Sequence, residues 1–368
     1  MRYIISGGGT GGHIYPAIAI ADRIREADPG AEILFVGSRG GMEMELIPAA
    51  GYDISPIDVT YFHRAVSIHN LKGVGLLMLG LIESSRILSA FKPDWVIGTG
   101  GYVAGPVVYM AAKKGYKTMI HEQNAFPGLT NRILAKHVDV VALSFDEAKK
   151  HLSGFKRAVV TGNPVRKEYY QHNAGEFDEA GSAPDGKKTV LVSGGSGGSE
   201  HINRAVINMM EDNEDLPFLI HWSTGKRHYD EIVKRKQLEK QRHRGHRIVP
   251  YIDQMPMAIK TSHLVVCSAG AITIAEVEAA GKYSILVPKA YTAGNHQEKN
   301  AMMMEKEGFA TVIREKEIDG KRLMEEITRM LDKAPSSIEI TKVRPAVDLI
   351  WSLMQEGPMA SKKEPFQT

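Results

Sequence analysis

The sequence contains a single cysteine, Cys267, in 368 residues, so no internal disulfide forms and a reducing compartment is expected. It opens directly on a strand pattern, so no secretion signal is expected. Its prominent apolar run, from Gly73 to Ile82, is ten residues, about half of what a bilayer-spanning helix requires. Aromatic residues make up only 7%, and no basic cluster interleaves with them, which argues against nucleic acid as a partner. No clean Gly-x-Gly-x-x-Gly with an acidic residue about twenty positions on is present, so a nicotinamide site is weakly supported.

What is present is glycine in a particular place. Ser6-Gly7-Gly8-Gly9-Thr10-Gly11-Gly12-His13 follows the apolar run Tyr3-Ile4-Ile5 and precedes a helical pattern with Ile14, Ala17, Ile18, Ala21 and Ile24 on one face. A strand that enters a glycine turn and leaves as a helix lets backbone approach a ligand and presents free N–H groups to an anion. The histidine at its mouth adds a titratable group. Ser193-Gly194-Gly195-Ser196-Gly197-Gly198 repeats the device about 187 residues later, again between a strand and a helix. With a length that suits two ordinary domains, this predicts two tandem doubly wound α/β domains facing across a cleft. The expected boundaries are residues 1–162 and 163–340, with a helix over 341–358 returning to the first domain and a disordered tail over 359–368.

The net charge of +3 is unevenly spread, with nine Lys/Arg against three Asp/Glu between Val59 and Val138. The same region holds the apolar run. It reads either as a core helix or as a monotopic patch for an anionic membrane, carried by Leu71, Lys72, Leu76, Leu77, Leu79 and Arg86. A second glycine turn, Gly98-Thr99-Gly100-Gly101-Tyr102, follows the strand Trp95–Ile97. His121-Glu122-Gln123-Asn124 then gathers polar groups just past the strand Lys117–Ile120, where open α/β sheets bind ligands. Gly162-Asn163-Pro164-Val165-Arg166 reads as a hinge. In the second half, Ser268-Ala269-Gly270-Ala271 opens a helix whose Glu276 can accept two ribose hydroxyls or be a plain surface charge. Gly294-Asn295-His296-Gln297-Glu298-Lys299-Asn300 opens another whose amides can bond a sugar. Tyr229 to Gln241 reads as one exposed basic helix with a solvated face.

The ordered set of Gly8–His13, Gly98–Tyr102, His121–Asn124 with Ala125, Gly162–Arg166, Gly194–Ser196 and His296-Gln297-x-x-Asn300-Ala301 resembles the MurG family of bacterial N-acetylglucosaminyltransferases, over about residues 3 to 355. The resemblance implies a GT-B fold and inverting transfer of N-acetylglucosamine from UDP-N-acetylglucosamine to the C4 hydroxyl of undecaprenyl-linked muramoyl-pentapeptide, in peptidoglycan synthesis. It also implies a peripheral position on the cytoplasmic side of the cell membrane, against the anionic inner leaflet.

The residues carried over are His13 as base with Asn124 and Glu122 assisting, and Gly12, Gly100, Gly101 and Tyr102 around the acceptor diphosphate. Thr10, Gly11, Gly12, His13, Asn124, Arg166, Ser196, Ile248, Gly270, Ala271, Ile272, Glu276, Gln297 and Asn300 are expected around the donor. At a helix N-terminus the positive end of the dipole disfavours imidazolium, which suits His13 to accepting a proton. No Asp-x-Asp motif occurs, so neither a metal nor another cofactor is expected; helix N-termini and Arg166 would stabilise the leaving diphosphate. Asn295 and Ser199 depart from the family pattern, where an acidic residue and an alanine are common. The competing readings are a UDP-N-acetylglucosamine 2-epimerase, which needs no acceptor, and a non-catalytic nucleotide-sugar sensor.

Overall fold

The computed structural model describes residues 1–61, 68–170, 186–195, 197–333 and 345–357. The chain divides into a unit of Met1–Arg166 with Arg344–Thr368, and a second of Lys167–Val343. The division falls four residues later than the expected boundary, so Arg166 belongs to the first unit.

The first unit is a seven-stranded parallel sheet of β1 (Arg2–Gly7), β2 (Glu32–Ser38), β3 (Asp53–Ile57), β4 (Trp95–Gly100), β5 (Lys117–Glu122), β6 (Val140–Leu143) and β7 (Ala158–Val160). Their order is β3-β2-β1-β4-β5-β6-β7, so the chain reverses direction across the sheet between β1 and β4. The helices are α1 (Gly11–Ala27), α2 (Glu43–Ala49), α3 (Ile68–Phe91), α4 (Gly101–Lys113) and α5 (Leu129–Leu134). β1 reads as an unbroken apolar run because both its faces are covered: Tyr3 and Ile5 join the core of α1, whereas Ile4 joins that of α4. The chain returns in a final helix, Ala346–Glu356, whose Ile350, Leu353 and Met354 complete the α1 side of that core. An Arg23–Asp348 ion pair of 2.5 Å ties it to α1. Residues 359–368 lie outside the described residues.

Two strands extend further than the expected ones. β4 continues through Gly98, Thr99 and Gly100, with Gly7 beside Gly100 in the register. Gly98 is therefore a strand residue, and a Cβ there would come within 2.7 Å of Val108 on α4; glycine lets that helix approach. β5 likewise runs on, pairing His121 with Ala142 and Glu122 with Leu143, so these two side chains lie in the buried strand end rather than past it. The Gly73–Ile82 run also proves to be a segment of a longer element, the 24-residue α3.

The second unit has six parallel strands: β8 (Lys188–Ser193), β9 (Phe218–Ser223), β10 (Arg247–Val249), β11 (Leu264–Ser268), β12 (Ser284–Val287) and β13 (Ala310–Val312). Their order, β10-β9-β8-β11-β12-β13, again reverses, here between β8 and β11. The helices are α6 (Glu200–Asp212), α7 (Lys226–Val233), α8 (Lys236–His243), α9 (Met255–Lys260), α10 (Ala271–Ala279), α11 (His296–Lys306) and α12 (Gly320–Lys333). The expected single basic helix is thus two, α7 and α8, broken at Lys234 and Arg235. Each unit is a Rossmann-like parallel-sheet domain, as the GT-B fold requires.

Candidate functional site

In the first unit the β1–α1 loop and the direct β4–α4 junction meet at the switch point, and His13 stands between them. Its ring lies where Cβ atoms at that junction would be: a Cβ on Gly100 would sit 2.8 Å from its Cδ2, and one on Gly101 3.2 Å from its Nδ1 and 2.3 Å from the Gly8 carbonyl oxygen. Gly100 and Gly101 also have φ of +102° and +79°, so side chains are excluded twice over. Nδ1 of His13 is 3.0 Å from the Gly8 carbonyl oxygen and 3.3 Å from Thr10 Oγ1. A carbonyl only accepts, so Nδ1 carries a proton, and in the neutral ring the lone pair is on Nε2. Thr99 fixes the same turn from behind by donating its hydroxyl to the His13 carbonyl at 2.8 Å. Tyr102 lies on Gly9, where a Cβ would come within 3.0 Å of its ring, and Tyr61 tilts against it at 6.2 Å between centroids.

Behind this loop runs a buried relay. His121 donates through Nε2 to the Gly162 carbonyl at 3.0 Å, and its Nδ1 accepts from Gln123 Nε2 at 3.1 Å. Gln123 Nε2 also donates to the Thr99 carbonyl at 2.7 Å. Burial pushes the His121 imidazole down to about 4 despite the Gly162 bond, so the ring is neutral near pH 7. Glu122, grouped above with the catalytic residues, has both oxygens committed. One accepts from the Asn124 backbone and side chain at 3.0 and 3.2 Å, the other from the Gly128 backbone and Asn131 Nδ2 at 3.1 and 2.8 Å. A carboxylate so occupied positions the Asn124 turn and is not available as a base. Arg166 extends over the Tyr15 ring on α1, 6.0 Å from its centroid, and so belongs to the first unit rather than to the second domain expected from residue 163.

In the second unit the loops after β8 and β11 are adjacent, joined by Ser268 Oγ donating to the Gly194 carbonyl at 3.2 Å. Gly270 precedes α10 and supplies no side-chain cap, and Ala271 and Ile272 form the first turn of that helix. Glu276 stands on the same helix, partly exposed. Ile248 is buried in β10. Gln297 spends its amide oxygen on the Lys289 backbone at 2.9 Å, and Asn300 is buried one turn on. The two departures have physical reasons. Ser199 caps α6 by accepting from the Ile202 N–H, which alanine cannot do. Asn295 has φ of +53°, a left-handed conformation that asparagine tolerates better than most residues. Ser196 lies outside the described residues. Among the described residues, no group of three or more His, Cys, Asp or Glu side chains could hold a metal ion.

Three residues of these sites were not anticipated from sequence. Glu43, Asn131 and Lys289 hold backbone or side chains of the loops, Lys289 by donating to the Gly198 carbonyl at 3.2 Å. Only Glu43 left a trace, in the unusual glycine content of Gly37-Ser-Arg-Gly-Gly-Met before it.

The apolar segment resolves as a surface. Val74, Leu76, Met78, Leu79 and Ile82 of α3 are 36 to 56% exposed, Leu77 is half-buried and Arg86 is exposed. Gly80, by contrast, fits against Val59 and Pro106, and Ser84 and Leu88 are buried. Gly73–Phe91 is long and apolar enough to cross a membrane by length and composition, and 17% of that window is buried. The side chains of Leu71 and Lys72 lie outside the described residues.

Comparison with known proteins places this arrangement. Residues 3–143 match the glycosyltransferase family 28 N-terminal domain and residues 189–348 the family 28 C-terminal domain. The chain is 50% identical over 331 residues, 90% of each chain, to the UDP-N-acetylglucosamine–N-acetylmuramyl-(pentapeptide) pyrophosphoryl-undecaprenol N-acetylglucosamine transferase of Alkaliphilus metalliredigens (strain QYMF). It is 43% identical to the protein of the same name from Clostridioides difficile (strain 630), covering 95% of this chain and 88% of that one. In fold it is similar to the crystal structure of Acinetobacter baumannii MurG, with a TM-score of 0.73, 24% identity and coverage of 96% and 99%. A Listeria monocytogenes protein described as a UDP-N-acetylglucosamine 2-epimerase matches at a TM-score of 0.65 with 14% identity and 96% of each chain covered, so fold alone does not separate the two activities.

Proposed function

As this chain belongs to glycosyltransferase family 28, and within it to the MurG transferases, we propose that His13 is the base of a single-displacement sugar transfer. The chain is an N-acetylglucosamine transferase that moves the sugar of UDP-N-acetylglucosamine to N-acetylmuramyl-(pentapeptide) pyrophosphoryl-undecaprenol, in peptidoglycan synthesis. The observation carrying the mechanism is the His13 Nδ1 bond to the Gly8 carbonyl, because it leaves Nε2 as the proton acceptor.

In this reading the C4 hydroxyl of the acceptor sugar gives its proton to Nε2 as its oxygen attacks the anomeric carbon. The bond from that carbon to the UDP oxygen breaks, and the configuration inverts. Charge growing on the diphosphate is stabilised by the positive end of the α10 dipole at Gly270, Ala271 and Ile272 and by the cationic Arg166. Ile248 packs on uracil, Glu276 accepts the ribose hydroxyls, and Gln297 and Asn300 bond the transferred sugar. The starts of α1 and α4, which have no side-chain cap, take the acceptor diphosphate with Gly12, Gly100, Gly101 and Tyr102, while Thr10 and Gly11 contact the donor. Asn124 orients the acceptor hydroxyl, held by Glu122.

The acceptor's lipid brings the enzyme to a membrane, and α3 is the element suited to meet it. Its exposed leucines, Met78 and Ile82 enter the interface, while Arg86 faces anionic head groups on the cytoplasmic side. It lies on the surface rather than spanning, because it is the crossover between β3 and β4 and its Ser84 and Leu88 are buried in the unit.

The deciding experiment measures UDP release from UDP-N-acetylglucosamine with and without a soluble lipid-linked muramoyl-peptide, in the presence of chelator. Release that requires acceptor and ignores chelator is expected. Isomerisation of the nucleotide sugar without acceptor would identify an epimerase, and binding without either reaction a sensor.

A further inference from the structure

One fully buried carboxylate lies beneath the first glycine loop, outside every role assigned above. Glu43, the first residue of α2, accepts from the Gly9 N–H through Oε2 at 3.1 Å and from the Ser38 N–H through Oε1 at 2.9 Å. Its side chain occupies space that three other residues vacate. A Cβ on Gly8 would lie 2.3 Å from its Oε1, one on Gly41 2.3 Å from its Cδ, and one on Gly37 2.7 Å from its Cγ. Gly37 and Gly41 have no positive φ that would explain them otherwise. A side chain at Gly8 or Gly41 would collide with the Glu43 carboxylate, and one at Gly37 with Glu43 and Ile54 together. The next link upward is direct: the Gly8 carbonyl, between the two residues Glu43 touches in the loop, accepts from His13 Nδ1 at 3.0 Å.

We propose that Glu43 is a positioning residue for the transfer, fixing through the Gly8–Gly9 backbone which nitrogen of His13 carries the proton. The proposal rests on His13 as the base. Two backbone N–H donors converge on Glu43, and a carboxylate is the one side chain of this shape that accepts from both. In Glu43→Gln one of them faces an NH2 group instead, so the loop shifts and the carbonyl moves off Nδ1. The imidazole then populates both tautomers, and the one protonated on Nε2 cannot take the acceptor's proton.

The test uses the full chain labelled with 15N-histidine, the His13 ring signals being identified by their absence from His13→Gln. The wild-type ring is expected to show a protonated Nδ1 and a bare Nε2, and Glu43→Gln to show exchange between tautomers. Its kcat should fall on the order of 10²-fold, as for a misplaced catalytic group, while KM for UDP-N-acetylglucosamine stays within about two-fold. In a His13→Gln background Glu43→Gln should add no further loss, since both act through one group. Gly41→Ala, which displaces the same carboxylate from outside the substrate loop, should reproduce the tautomer exchange if Glu43→Gln folds poorly.

Wild-type ring signals and kcat in both variants would overturn the proposal, as would losses that multiply in the double variant. A merely structural Glu43 would lower the melting temperature and leave the ring signals unchanged. Crippled His13→Gln beside a normal Glu43→Gln removes Glu43 alone; near-normal turnover of His13→Gln removes the base assignment on which it rests.

Discussion

The two sheets reverse at equivalent places, between β1 and β4 and between β8 and β11, yet their helix starts are finished differently. In the first unit neither α1 nor α4 has a side-chain cap, and the Thr10 hydroxyl that would serve α1 faces His13 instead. In the second, of the two helices that follow the switch-point strands β8 and β11, Ser199 caps α6 and α10 has no side-chain cap. At its switch point one frame therefore supplies two helix starts without a side-chain cap, around a histidine, and the other supplies one, followed by a carboxylate. The difference teaches that the frame sets where an anion can bind, and the cap residues set how many N–H groups remain to bind it.

The comparison breaks most sharply at chemistry. His13→Gln should lower kcat by about 10² to 10⁴-fold with UDP affinity intact, while Glu276→Ala should raise KM for the nucleotide sugar by roughly 10-fold or more and spare kcat. Equal effects of both on KM would place them in one binding site and cancel the division of labour. Next comes the loop backbone. Gly101→Ala forces a Cβ onto the Gly8 carbonyl at positive φ, and activity on the order of 10²-fold below wild type is expected. Gly197→Ala in the other loop meets nothing within 4 Å and should remain within about two-fold.

A smaller effect is expected from pH. The imidazole of His121 is held down to about 4 by burial, against 6.5 as the ordinary value, so the unfolded chain binds a proton there that the folded unit does not. Its contribution is fully present above 6.5 and is lost as pH falls towards 4, by about 2 kcal/mol at pH 5. Melting temperatures from pH 7 to 5 should fall less steeply in His121→Gln than in wild type. Smallest is the cap: Ser199→Ala should cost about 1 kcal/mol in denaturant unfolding of the second unit, with kcat unchanged.

Much of this was legible in the chain order. Strands buried on both faces appear as apolar runs, and glycine turns stand out because few other uses demand so many glycines. The limits of β4 and β5 were not legible, since Gly98–Gly100 and His121–Glu122 look like loop residues until their ladders with β1 and β6 are known. The extent of α3 was hidden by Glu83, Ser84, Ser85 and Arg86, which look like an end but lie within one continuous helix.

By itself the sequence determined the architecture and the types of group at each loop, because periodicity, glycine and caps act over a few neighbouring residues. Only the tertiary structure decided what those groups hold. Glu122 is spent on Asn124, Gly128 and Asn131, Arg166 lies on Tyr15, and Glu43 reaches Gly9 from 34 residues away. Such bonds depend on which strand ends lie side by side, and that is set by the folding of the whole sheet, not by any local run of residues.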